Sequence, residues 1–207
     1  MKKTVYLFFK RALDFILALA AMLVLSPLFA AIAVAVRLDS KGPVFFCQRR
    51  AGKGRLDFKM VKFRTMRQDT PHDTATHLLN NADSYITRVG ALLRKTSLDE
   101  LPQLWNIVRG DMAIVGPRPA LWNQFDLLDE RDKYGANDVR PGLTGWAQIN
   151  GRDELPIAEK AALDGEYVRK MSLGFDLKCI VGTVVVVVRR EGVVEGGSGA
   201  MDKQKKS

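Results

Sequence analysis

The chain has 207 residues, with 32 Lys and Arg against 23 Asp and Glu, a net charge of +9 and a pI of about 9.7. This length buries one good core, so one domain is expected, and the basic balance calls for an anionic partner: nucleic acid, an acidic membrane surface or a phosphorylated substrate. Cys47 and Cys179 form no motif, which favours reduced, buried thiols while leaving one disulfide open, and His72 and His77 are too few and wrongly spaced for a zinc site.

The first element is an uncharged run of 22 residues from Phe15 to Val36. As a helix it would measure about 33 Å, against a hydrocarbon core of roughly 30 Å. Asp14 just before it, its length and the lack of a cleavage context all disfavour a signal peptide. By length alone it is a single spanning anchor. Ser26-Pro27 in its middle argues otherwise. Pro27 cannot donate to the Leu23 carbonyl and should kink the helix, while Ser26 can satisfy the freed carbonyl. Both flanks are basic: Lys2, Lys3, Lys10 and Arg11 before, Arg37, Lys41, Arg49 and Arg50 after. A kinked helix that enters and leaves one leaflet keeps both flanks cytoplasmic, which a straight spanning helix does not.

Residues 37 to 67 hold ten basic side chains against Asp39 and Asp57. Val44 to Cys47 and Phe58 to Phe63 read as strands joined by a turn at Ala51 to Gly54, which predicts a hairpin whose cations meet headgroups, a phosphate or simply water. Residues 68 to 87 read as loop with a single helical turn, and Ile86 to Leu93 as helix. Leu98, Leu101, Leu104, Trp105 and Val108 repeat at helical spacing. Either Ser97 caps that helix, or its regular part begins near Pro102. In both cases Asp99 and Glu100 lie at a helix N-terminus, where partial positive charge favours carboxylates and bound phosphate.

This acidic pair stands among Arg88, Arg94, Lys95, Arg109 and Arg118. Carboxylates set among guanidinium groups suit phosphate chemistry, because a carboxylate can attack phosphorus or hold a divalent cation while arginines neutralise phosphoryl oxygens. Ser97-x-x-Glu100 is equally a capping box. Gly116-Pro117-Arg118-Pro119 is a rigid turn that fixes Arg118 in direction. Residues 121 to 134 read as an exposed acidic helix. The glycine-rich stretch from Arg140 through Trp146 to Arg152 could cradle a nucleotide, or place Trp146 as an interfacial anchor. Ala158 to Lys170 should be helical. Residues 177 to 188, ending in five valines, are too short to span and read as a buried strand, with an interfacial or core helix as the alternative. The tail from Gly192 is rich in glycine and lysine.

Lys62-Phe63-Arg64-Thr65-Met66, Leu93 through Gln103, Gly116-Pro117-Arg118-Pro119 and Arg140-Pro141-Gly142-Leu143-Thr144-Gly145 occur in this order behind the broken apolar helix. The combination resembles the bacterial sugar transferases known as monotopic phosphoglycosyl transferases, from about Lys10 to Gly197, in their small form that starts capsule, exopolysaccharide and N-glycan assembly. The resemblance implies an α+β, mainly helical fold. A re-entrant membrane helix (1–37) broken at Ser26 and Pro27 would carry a catalytic domain (38–191) containing a small antiparallel hairpin on the cytoplasmic face of the bacterial inner membrane, followed by a flexible tail (192–207).

It further implies transfer of a sugar 1-phosphate from a UDP-sugar to undecaprenyl phosphate, with release of UMP. Asp99 would be the nucleophile, Glu100 would join it in holding Mg²⁺, and Arg118 would bind phosphate. Lys62, Arg94, Arg140 and Arg152 match basic family positions that contact substrates. Membrane lipids are expected partners and nucleic acid is not, and a homodimer is open. An N-acetylated amino sugar, with a 6-deoxy form among the options, is the donor sugar that the likeness suggests. Two rivals differ in chemistry. An ordinary glycosyl transferase would release UDP and would need a motif such as Asp-x-Asp, which is absent from the sequence. A membrane-anchored basic module binding anionic lipid or nucleic acid would leave the acidic pair without a purpose.

Overall fold

The computed structural model describes residues 3–70, 82–151 and 155–189. Two helices open it, α1 (Lys3–Val24) and α2 (Ser26–Asp39), bent by 63° at the break between them. The cause is local. Pro27 stands in the first turn of α2 and has no N–H to give. The Leu23 carbonyl is satisfied instead by the Ser26 hydroxyl, which donates at 2.8 Å. Among the described residues no single helix is long and apolar enough to cross a membrane, but the bent pair passes that test together.

Each half of the pair has a packed face. Ala18 of α1 joins Met60, Leu104, Ile107 and Met112 in one core cluster. Ile32 and Val36 of α2 join Phe63 and Leu93 in another. Arg64 closes the end of α2 by donating to the carbonyls of Ser40 (2.7 Å), Lys41 (2.7 Å) and Val36 (3.3 Å), the last of which also accepts from the Ser40 N–H at 3.4 Å. Phe8, Phe9, Ile16, Leu23 and Val24 of α1 face outward.

The expected hairpin is present and antiparallel. Strands β1 (Phe45–Ala51) and β2 (Asp57–Phe63) pair from Phe45 opposite Phe63 to Ala51 opposite Asp57. Arg55, at the hairpin's tip, reaches Asp129 (2.6 Å) and Asp132 (2.5 Å). Helix α3 (Arg88–Thr96) starts at Thr87, whose hydroxyl accepts from the Gly90 N–H. Helix α4 (Gln103–Arg109) follows the acidic pair. A second small sheet, not expected from the sequence, pairs β3 (Ala113–Val115) in parallel with β4 (Gly142–Thr144). Three residues per strand is too short for alternation to register.

The remaining helices are α5 (Phe125–Asp132), α6 (Trp146–Ile149), α7 (Ile157–Lys170) and α8 (Leu173–Arg189). Helix α5 is less exposed than its acidic sequence suggests. It buries Leu127, Leu128 and Arg131, and the Arg131 Nε donates at 2.8 Å to Asp164 of α7. Trp146 makes intramolecular contacts: it donates to Glu166 at 2.8 Å and packs on Phe175.

The valine-rich segment is helix, not strand. Ser172 caps it, accepting from the Phe175 N–H at 3.3 Å. Asp176 then fixes it from both sides, accepting at 2.8 Å each from Tyr6 and Lys10 of α1 and from Tyr167 of α7. With Phe175 and Cys179 packed into the core, this tertiary anchoring outweighs the few tenths of a kcal/mol that each β-branched residue costs a helix. Leu177, Val181, Val184 and Val185 lie on its exposed side. Both cysteines are free, Cys179 buried and Cys47 exposed rather than buried. The histidines, most of the 68–87 loop and the tail from Gly192 fall outside the described residues.

Candidate active site

The site is built where the chain turns from α3 into α4. At Ser97 the backbone takes a left-handed conformation, with φ 56° and ψ 16°, and its N–H closes α3 on the Arg94 carbonyl at 3.1 Å. The capping box suggested by Ser97-x-x-Glu100 is therefore not formed: Ser97 ends one helix and makes no side-chain cap for the next. Leu98–Glu100 is a single 3₁₀ turn, and regular helix begins at Gln103 with Pro102 in the capping position. Of the two starts open from sequence, the later one holds. Glu100, freed from capping, points to basic side chains instead.

Those side chains arrive from two other elements. Lys62 of β2 donates from Nζ to Glu100 Oε1 at 2.7 Å, and Arg118 donates from Nη2 to the same oxygen at 3.3 Å. Asn106 explains why β2 lies there. Buried on α4, it accepts from the Val61 N–H at 3.0 Å and donates to the Lys59 carbonyl at 2.8 Å, joining the hairpin to the helix behind the dyad. The sequence hides this role, because an asparagine between Trp105 and Ile107 carries no periodic signal.

Arg118 is held as stiffly as its prolines imply. On one flank Ala51 donates to the Ala120 carbonyl at 3.0 Å, and Arg50 donates to Pro119 at 3.0 Å. On the other, Gly142 donates to Pro117 at 2.8 Å and Gly116 to Thr144 at 2.9 Å. The backbones of Gly116 and Gly142 approach so closely that a Cβ on either would collide with the other segment.

Asp99 is buried, 9% exposed, beside these cations. Burial pushes its carboxyl above the ordinary range. Lys62 opposes that most strongly, Glu100 adds to it, and Arg94 and Arg118 pull it down. Arg94 itself donates to Thr65 at 3.2 Å. The structure thus brings together Asp99, Glu100, Lys62, Arg94 and Arg118. It does not bring Arg140, which donates from Nε to the Gly110 carbonyl at 2.8 Å, at the other end of α4. Arg152 falls outside the described residues.

Chemically, the arrangement offers a carboxylate held in a positive field, and a second carboxylate fixed by two cations. The first suits attack on phosphorus, and the surrounding cations suit the phosphoryl oxygens. No group of three or more potential metal ligands occurs among the described residues. The two adjacent carboxylates still match the ligand set of a magnesium ion that completes its sphere with water and substrate phosphate.

The chain is similar to known proteins over most of its length. Over 182 residues the chain is 44% identical to the UDP-glucose:undecaprenyl-phosphate glucose-1-phosphate transferase of Xanthomonas campestris pv. campestris, covering 84% of this chain and 38% of that protein. It is 39% identical over 197 residues to the exopolysaccharide production protein ExoY of Rhizobium meliloti (strain 1021), covering 88% of this chain and 87% of the relative. It is 37% identical over 189 residues to the UDP-N-acetylgalactosamine-undecaprenyl-phosphate N-acetylgalactosaminephosphotransferase of Aeromonas hydrophila, covering 89% of this chain and 44% of that protein. The chain therefore spans less than half the length of two of these relatives. Residues 5–190 match the family described as bacterial sugar transferase. That match takes in both halves of the bent helix, the hairpin, the acidic pair and the arginine turn, and the chain belongs to the bacterial sugar transferase family.

Proposed function

We propose that this protein is a phosphoglycosyl transferase that moves a sugar 1-phosphate from a UDP-sugar to undecaprenyl phosphate and releases UMP, beginning the assembly of a bacterial surface glycan. The observation that carries the reading is Asp99, buried beside Lys62, Arg94 and Arg118 while Glu100 takes the direct bonds of Lys62 and Arg118. The names of the relatives favour undecaprenyl phosphate as acceptor, with glucose or N-acetylgalactosamine joining the candidate donor sugars.

In the first step an Asp99 Oδ attacks the donor's sugar-bearing phosphorus. An oxygen–phosphorus bond forms to Asp99, and the bridging bond breaks, its electron pair leaving with UMP. In the second step an oxygen of the lipid phosphate attacks the same phosphorus and the bond to Asp99 breaks, restoring the carboxylate. Lys62 and Arg118 neutralise phosphoryl oxygens in both steps. Their shared grip on Glu100 keeps that side chain beside the nucleophile. Glu100 and Asp99 would hold Mg²⁺ together with the donor's diphosphate, where the ion would offset the charge developing on the phosphates.

The bent pair supports a re-entrant placement at the cytoplasmic face of the inner membrane. Its 63° bend, its outward apolar side chains and the basic residues at both ends suit entry and exit on one side. Trp105, exposed on α4 close to the dyad, suits the same interface.

The test is nucleotide release. Detergent-purified protein is given undecaprenyl phosphate, Mg²⁺ and, separately, UDP-glucose, UDP-N-acetylgalactosamine and other UDP-sugars, and UMP and UDP are assayed apart. UMP that depends on both lipid and Asp99 is the expected result. UDP release overturns the proposal in favour of glycosyl transfer.

A further inference from the structure

Arg11 lies on α1, yet its guanidinium is spent on α4. Nη1 donates to the Ile107 carbonyl at 2.6 Å and Nη2 to the Val108 carbonyl at 2.9 Å. Both carbonyls belong to the last turn of α4, at the negative end of the helix dipole, and Ile107 also accepts from the Gly110 N–H at 3.1 Å. A planar fork with two parallel donors matches two successive carbonyls, as a point charge cannot.

The dyad sits at the opposite end of the same helix. The Leu101 N–H donates to Leu98, Leu104 to Leu101 and Trp105 to Pro102, at 3.3, 3.0 and 3.0 Å. The 3₁₀ turn thus runs into α4 without a free joint, and α4 is only about 10 Å long. A shift at Ile107 and Val108 is delivered to Asp99 nearly undiminished. α1 also packs on α4 through apolar side chains, Ala18 joining Leu104 and Ile107 in one cluster. Apolar contact holds the helices together but has no direction, so it permits sliding along the axis. The paired hydrogen bonds of Arg11 do not.

We infer that Arg11 is a positioning residue that fixes the height of the dyad relative to the bent helix pair, and thereby governs the step in which the lipid acceptor takes the sugar phosphate. This rests on the two-step reading above. The donor comes from solution and meets Lys62 and Arg118, which keep their place beside the dyad because Asn106 ties β2 to α4 and both cations bond Glu100. The acceptor comes along the membrane, at a depth set by α1 and α2. An error in register between α1 and α4 is therefore felt in the second step far more than in the first.

The experiment compares Arg11→Met, Arg11→Lys and Arg140→Met with the unmodified full chain in lipid nanodiscs. Arg140 is the control, because it donates to the same end of α4, at Gly110, without linking it to α1. Loading is followed by intact mass and UMP release with the UDP-sugar alone, and discharge by loss of that mass when undecaprenyl phosphate is added. Arg11→Met is expected to load within about twofold of the parent and to discharge about ten- to a hundredfold more slowly. Arg11→Lys is expected to fall between, and Arg140→Met to change both steps in equal proportion. Equal slowing of both steps in Arg11→Met, or the same split in Arg140→Met, overturns the inference while leaving the two-step route standing. A parent enzyme that turns over without loading on donor alone overturns both.

Discussion

Lys62 Nζ lies 2.7 Å from Glu100 Oε1, joining the second strand of the hairpin to the turn that carries Asp99. Both side chains are largely buried, with side-chain exposures of 18% and 16%. The contact divides the dyad's labour. Glu100 is anchored by a direct bond, while Asp99 receives the same lysine's charge through space. Adjacent carboxylates of the same chemical type are thereby given different surroundings, which on the proposed route suit different roles.

The roles separate under mutation. On the proposed route Asp99→Asn removes the attacking carboxylate with little change in shape, and turnover should fall by about 10⁴-fold or more with the melting temperature unchanged or raised. Glu100→Gln leaves the nucleophile in place, so a donor-derived mass should still accumulate on the protein, slowly. Intact-mass spectrometry with donor alone checks both. An adduct on the Asp99→Asn protein would assign the chemistry to another residue.

The pH dependence follows from the burial of Asp99. Its folded pKa lies above the ordinary carboxylate value of about 3.9, so the ionised form, which attacks on the proposed route, appears only at higher pH. The acid limb of kcat/KM should accordingly sit above that value. In the same window the folded state holds a proton that the unfolded state has lost, so this group's contribution to stability falls as pH rises through it. Lys62 is the strongest influence holding the pKa down. Lys62→Met should therefore move the acid limb to higher pH, besides weakening donor binding. A limb that stays in place in that variant would mean that Lys62 does not set the nucleophile's charge.

How far the sequence reached can be judged at particular residues. The Ser26-Pro27 break, the hairpin and the rigid mount of Arg118 were legible, because proline and turn chemistry act locally. Arg94 and Arg118 were legible beside the acidic pair from their places in the sequence, whereas Lys62 came through motif resemblance alone, since nothing local relates residue 62 to residue 100. Two readings failed for one shared reason, namely contacts from distant segments. Asp176 accepts from Tyr6 and Lys10, 170 and 166 residues away, and its anchoring goes with helix for a segment whose valines favour strand. Glu100 is taken by Lys62 and Arg118, so the local pattern that spells a capping box is overridden. Arg140 matched a substrate-binding position by motif, yet the fold turns it to Gly110.

Ser97 gives a direct test of that override. A capping serine replaced by glycine loses a few tenths of a kcal/mol. Ser97 instead occupies a left-handed conformation, at φ 56°, that costs a side-chain-bearing residue roughly 1 kcal/mol relative to glycine. Ser97→Gly should therefore leave stability unchanged or raise it by up to about 1 kcal/mol, measured by denaturant unfolding in detergent. A clear loss of stability would restore the capping role.

The bend between α1 and α2 is open to labelling. Single cysteines at Lys3 and Lys41 would report the two ends, after Cys47, which is exposed and would otherwise react, is changed to serine. With the bend intact, a membrane-impermeant maleimide should reach both ends only from the cytoplasmic side. Pro27→Ala restores an N–H that can return to the Leu23 carbonyl, now held by the Ser26 hydroxyl at 2.8 Å. Ser26→Ala together with Pro27→Ala removes the competing hydroxyl as well and should straighten the helix, carrying one end across the membrane. Labelling from opposite sides in the parent protein would overturn the re-entrant placement. Same-side labelling in the double variant would instead mean that the packing of α2 on Phe63 and Leu93, together with the Arg64 clamp on its last carbonyls, holds the bend without help from the proline.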